Sequence, residues 1–73
     1  MDSMPIYAIR VKGRLDPRRA AWFDNLEIQP APNGETLLYG PLVDQAALFG
    51  ILVRIRDLGL KLVAVNTVEP FDA

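Results

Sequence analysis

The sequence predicts a small α+β domain in which a four-stranded antiparallel sheet carries two helices on one face. Three observations predict it. Ile6 to Lys12 and Leu26 to Gln29 alternate apolar with polar residues, the period of a strand with one buried face. Pro30-Ala31-Pro32-Asn33-Gly34 interrupts the second run with residues suited to a hairpin. Leu48, Ile51, Leu52, Ile55 and Leu58 recur at helical spacing, giving a rod one apolar stripe that a sheet must cover.

In chain order, Tyr7, Ile9 and Val11 occupy one face of the first strand, and Ala8, Arg10 and Lys12 the other. Leu15-Asp16-Pro17 then opens a short helix. Asp16 is a favoured N-cap, and Pro17 suits the first helical position because its missing N–H costs nothing there. About two turns to Asp24 or Asn25 are expected, with Trp22 as a core anchor and Arg18 and Arg19 in solvent. The second strand turns inward Leu26 and Ile28. Asn33 and Gly34 tolerate the positive φ that brings Glu35 to Gly40 back as a third strand, apolar on both faces. Asp44 caps the long helix, and Gly59 ends it in the left-handed conformation that folds Leu60 onto Ile55. A last strand, Lys61 to Val68, precedes Pro70. Residues 1–5 are thus read as an N-terminal tail, 6–69 as one domain and 70–73 as a C-terminal tail. The order strand, helix, strand, strand, helix, strand is the split βαβ pattern of the ferredoxin-like fold. Right-handed crossovers then place both helices on one face, with the first and third strands central.

Composition narrows the chemistry. Eight basic and nine acidic residues are interspersed, with net charge −1, so no global field attracts a phosphate backbone, and nucleic acid is not an expected partner. Cysteine and histidine are absent, which removes disulfides, thiolates, the usual zinc ligands and the commonest general base; no metal and no cofactor are expected. No apolar run has the length of a membrane span, and an acid stands near the start where a secretory signal carries bases. The reading is a cytoplasmic protein with no membrane partner. At 73 residues the domain lies near the size where one core barely offsets the entropy of ordering it, a prior for a homodimer.

Catalysis without histidine or cysteine calls for paired carboxylates, a lysine or a tyrosine. Asp16 and Asp44 follow antiparallel strands and so lie at opposite ends of the sheet, where each reads as a cap. Lys12 and Lys61 sit where their ammonium groups reach water, and the five glycines assemble no phosphate-binding loop. RNA-recognition domains share the topology but stack bases on sheet-face aromatics, and Glu35 to Gly40 carries only Tyr39. The chain is therefore read as a non-enzymatic module acting by association.

Two resemblances accompany this reading. Gly13-Arg14-Leu15-Asp16-Pro17 resembles the turn at which ACT-type domains bind amino acids. That likeness implies a small-molecule sensor in which Arg14 and Asp16 hold a ligand's two charges, against the plainer reading of a solvated loop residue and a cap. Gly13 to Pro17, Trp22-Phe23, Gly40-Pro41, Asp44 to Leu48, Gly50 and Arg56 to Leu60 are similar to a group of short uncharacterised bacterial proteins, which implies a fold and no functional residue. For the dimer, the open sheet face is the expected interface, with Ile6, Ala8, Leu37, Tyr39, Leu62 and Ala64 outward and Leu38 joining Tyr7, Ile9 and Val63 beneath the helices. Phe49 and Val53, on the outer side of the long helix, form the alternative.

Overall fold

The computed structural model describes residues 4–68; the expected stop at Pro70 and most of both expected tails lie outside them. Four strands, β1 (Ile6–Lys12), β2 (Glu27–Ala31), β3 (Glu35–Pro41) and β4 (Lys61–Val68), form one sheet in the order β2-β3-β1-β4, every pairing antiparallel. A 3₁₀ helix, Pro17–Phe23, follows β1, and α1 (Gln45–Asp57) follows β3. The α+β class, the antiparallel sheet and the central positions of β1 and β3 agree with the sequence reading. Just before β1, the Pro5 carbonyl accepts from the Leu42 amide at 3.1 Å.

β1 alternates as expected. Tyr7, Ile9 and Val11 are buried, and antiparallel partners share a face, so Leu38 opposite Ile9 and Thr36 opposite Val11 are buried with them. Thr36 meets its hydrogen-bonding requirement by donating to the Gly13 carbonyl at 2.7 Å. Over this face lie Leu48, Ile51 and Ile55 of α1, together with Phe23, Leu26 and Leu42. Leu58 departs from the predicted stripe. It is the helix C-cap and stays 38% exposed, because the chain leaves the helix there. Asp44 accepts from the Ala47 amide at 2.9 Å, and the far end closes by Gly59 donating to Arg56 and Leu60 to Ile55 at 2.9 and 3.1 Å. That pair of bonds around a left-handed Gly59 is the Schellman stop.

The first crossover differs from expectation: it holds a 3₁₀ helix in place of an α-helix. Asp24 and Asn25 both take positive φ, 52° and 59°, so the coil is cut after Phe23 and the Asn25 amide turns back to the Ala20 carbonyl. With three residues per turn, Pro17, Ala20 and Phe23 share one side while Arg19 and Trp22 share another. Phe23 is therefore fully buried and Trp22, the predicted core anchor, is 55% exposed.

The second correction lies in β4. The register against β1 slips between Arg10 and Val11, so Arg10 faces Ala64 but Val11 faces Leu62, and Val63 has no partner. One extra residue of this kind is a bulge. Val63 is not beneath the helices as expected; it is 47% exposed, and Val65 packs against the core instead. The slip also carries Leu62 to the Val11 side of the sheet, away from the open face assigned to it.

Candidate functional site

Three surfaces gather the residues that sequence reading singled out or overlooked. On the open face of the sheet, Ile6, Ala8, Leu37, Tyr39 and Ala64 are half-buried in the single chain, and polar groups interrupt them. Arg10 lies between Leu37 and Ala64 in register, 3.6 Å from Glu35, and Gln29 donates to Glu27 at 2.6 Å beside Tyr39 and Leu37. None of the face's large apolar side chains is among the exposed ones.

The turn after β1 is the second surface. Arg14 and Asp16 line one groove with Pro30, Ala31, Glu35 and Thr36. Gly13 enters it with φ of 122°, and its amide donates to the Gly34 carbonyl at 2.8 Å, tying this loop to the hairpin. Asp16 is engaged by its own helix. It accepts from the Arg18 amide at 2.9 Å and from the Arg18 guanidinium at 2.9 to 3.3 Å, and these side-chain bonds, ahead of the backbone one, hold its pKa below the ordinary value of 3.8. The same pairing raises the pKa of Arg18. A carboxylate so held is a cap first, and a ligand's ammonium group would have to compete with Arg18 for it.

The third surface is the helical layer, which exposes Trp22, Phe49 and Val53 at 55, 59 and 45%, and Leu58 beside them. Residues three or four apart on α1 divide it into flanks. Arg54 and Leu58 face the 3₁₀ helix, where they line a groove with Ala21, Trp22 and Asp57. Arg54 donates to the Trp22 carbonyl and so anchors the backbone there, while the Arg19 guanidinium lies over the indole, 5.2 Å from its ring centroid. On the other flank, Leu52 and Arg56 line a second groove with Leu60, Lys61 and Leu62 along β4.

Sequence reading missed Trp22 as a surface group. The available signal was its neighbour: with Trp22 and Phe23 adjacent on a coil of two turns, only one of them can point inward. Asp16 and Asp44, following the antiparallel β1 and β3, share no site. Among the described residues no group of three acidic side chains could hold a metal ion, and no helix is long and apolar enough to cross a membrane. Residues 6–66 match one family model, described as a Domain of unknown function (DUF8691). No curated protein and no solved structure matches the chain.

Proposed function

We propose that this chain, which belongs to the DUF8691 family, is a non-catalytic interaction module that acts by self-association or by binding a partner protein. The observation that carries the reading is Trp22. A small domain gains most from burying its tryptophan, yet here Phe23 takes the core and the indole is left outside beside Leu58, with Arg19 over its ring and Arg54 bonded to its backbone carbonyl. Aromatic side chains held rigid at a surface, with arginines around them, are the residues that dominate binding at interfaces. Within the same proposal the fold is a ferredoxin-like arrangement whose first helix has tightened to 3₁₀; the strand order β2-β3-β1-β4 supports it.

Trp22 is the only tryptophan, so its fluorescence reports this surface directly. Association over the indole moves its emission to shorter wavelength as protein or partner concentration rises. Emission that stays at the solvent-exposed position, in a chain that remains a monomer and co-purifies with nothing, overturns the reading. So does turnover, in a screen of hydrolase and transferase substrates, that Lys12→Met or Asp16→Asn abolishes.

A second reading, an amino-acid sensor of ACT type, is favoured by one observation: Arg14 and Asp16 border the same groove. It requires that an amino acid raise the melting temperature, and that Arg14→Ala remove the effect while Arg18→Ala leaves it.

A further inference from the structure

The two edges of the sheet are built differently. β2 is five residues long and carries Pro30, which has no N–H to offer a neighbouring strand. β4 is eight residues long, without proline or an acidic residue, and its only charged residue is Lys61 at its start. An edge strand of that length and composition is a template for another strand, and proteins ordinarily guard such an edge with charge, proline or a bulge, or cover it. Among the described residues the guards on β4 are Lys61 and the bulge at Val63, both in its first half, and Ala64 to Val68 carries none.

The helical layer above the same edge carries apolar side chains as well, with Arg56 and Lys61 among them. Phe49 and Leu52 lie on the β4 flank of α1, and below them Leu60 and Leu62 line the groove that runs along the strand. Leu62 and Val63 are 45 and 47% exposed, the one beside the bulge and the other at it. Backbone and side chains thus offer one continuous surface: main-chain groups unpaired among the described residues at the sheet, and apolar side chains one layer above.

We propose that this edge pairs antiparallel with the same edge of a second copy, joining two four-stranded sheets into one of eight, with Phe49, Leu52, Leu62 and Val63 of each copy closing the seam. The proposal rests on the association reading and goes beyond it, because the seam lies on the flank of α1 opposite Trp22. A second copy suits the edge because antiparallel pairing of a strand with itself is two-fold symmetric, so each residue that needs a partner finds it on the same surface. The area is sufficient. Eight residues span about 26 Å at a strand's rise, and the smaller extents of the chain are 24 and 21 Å. The flank therefore offers on the order of 500 Å² per copy, roughly 1,000 Å² in all, the threshold for a biological interface and the range of weak ones, where main-chain hydrogen bonds have to supply register.

Light scattering of the full chain at micromolar concentration tests it. The expected mass is twice the 8.1 kDa of one chain. Val63→Lys and Phe49→Asp, both at exposed positions, are expected to weaken dimerisation at least tenfold with unchanged far-ultraviolet circular dichroism, while Tyr39→Asp leaves the dimer intact. Hydrogen exchange on the unaltered protein gives an independent reading: β4 amides that point away from β1 are protected in concentrated solution and lose that protection on dilution. A monomer at about 100 µM overturns the proposal, as do β4 edge amides that exchange freely in a dimer. A dimer that survives Val63→Lys and Phe49→Asp but is lost in Trp22→Ala or Tyr39→Asp overturns the edge pairing while leaving the association reading standing.

Discussion

The β2 side and the β4 side of the sheet solve the problem of a small core in opposite ways. On the β2 side Phe23 and Leu26 are fully or almost fully buried, Ile28 is 8% exposed, and the edge carries Pro30. On the β4 side the strand contributes only half-buried Val65 to the core, and Leu62 and Val63 remain in solvent. A domain this short has too little apolar mass to finish both sides. What is spent on closing one edge is missing at the other, and the unfinished edge is where association gains most.

Substitutions measured by denaturant unfolding can break this contrast or sharpen it. Phe23→Ala carries the largest expected effect, about 3 to 5 kcal/mol, because a fully buried aromatic is lost from the closed side; a value below that of Val65→Ala would reverse the comparison. Gly13→Ala comes next at about 1 to 3 kcal/mol. Its φ of 122° excludes ordinary side chains, and the new methyl carbon would stand 2.6 Å from Leu60 Cδ2, joining the two sides in one clash. Asp44→Ala removes the cap of α1 and is expected to cost about 1 kcal/mol, with no effect on the β2 side. Trp22→Ala is expected within about 0.5 kcal/mol of the parent, as for a surface position; a loss comparable with Phe23→Ala would mean that the indole is packed after all. The smallest effect is one of pH. Asp16 has a depressed folded pKa, so its contribution is full above 3.8 and disappears as pH falls through the lower folded value. Unfolding followed across that acid range should show this dependence in the parent and lack it in Asp16→Asn.

The sequence announced features fixed by local chemistry. Both caps, the Schellman stop at Gly59 and the left-handed Asn33-Gly34 turn follow from what aspartate, glycine and asparagine do to a backbone, and all are present. The alternation in β1 likewise placed Tyr7 and Ile9 inward, whereas β3, apolar on both faces, did not mark its own parity, and Leu38 is the residue buried with them. Two features set by competition between neighbours were not legible. In Ala20-Ala21-Trp22-Phe23 every residue is apolar, so the burial of Phe23 over Trp22 depends on a three-residue turn and on left-handed Asp24 and Asn25. In Leu62-Val63-Ala64-Val65 an unbroken apolar run hides its own parity, and a bulge is invisible where no polar residue marks the face. The candidate site suffered most from this, because Trp22, Leu62 and Val63 lie in those two stretches.

The bulge also bears on how the length of this chain can vary. Removing one residue from a strand ordinarily inverts every side chain beyond the cut, from core to solvent. At Val63 the opposite holds: with Arg10 facing Ala64 and Val11 facing Leu62, excising Val63 alone leaves all of those partners opposite one another in a regular ladder. The same cut at Val65 would set Ala64 opposite Ile9 or displace the rest of the strand. β4 thus contains one position at which a three-nucleotide deletion is structurally silent for the core, and chains of this family one residue shorter at that point would keep the same sheet.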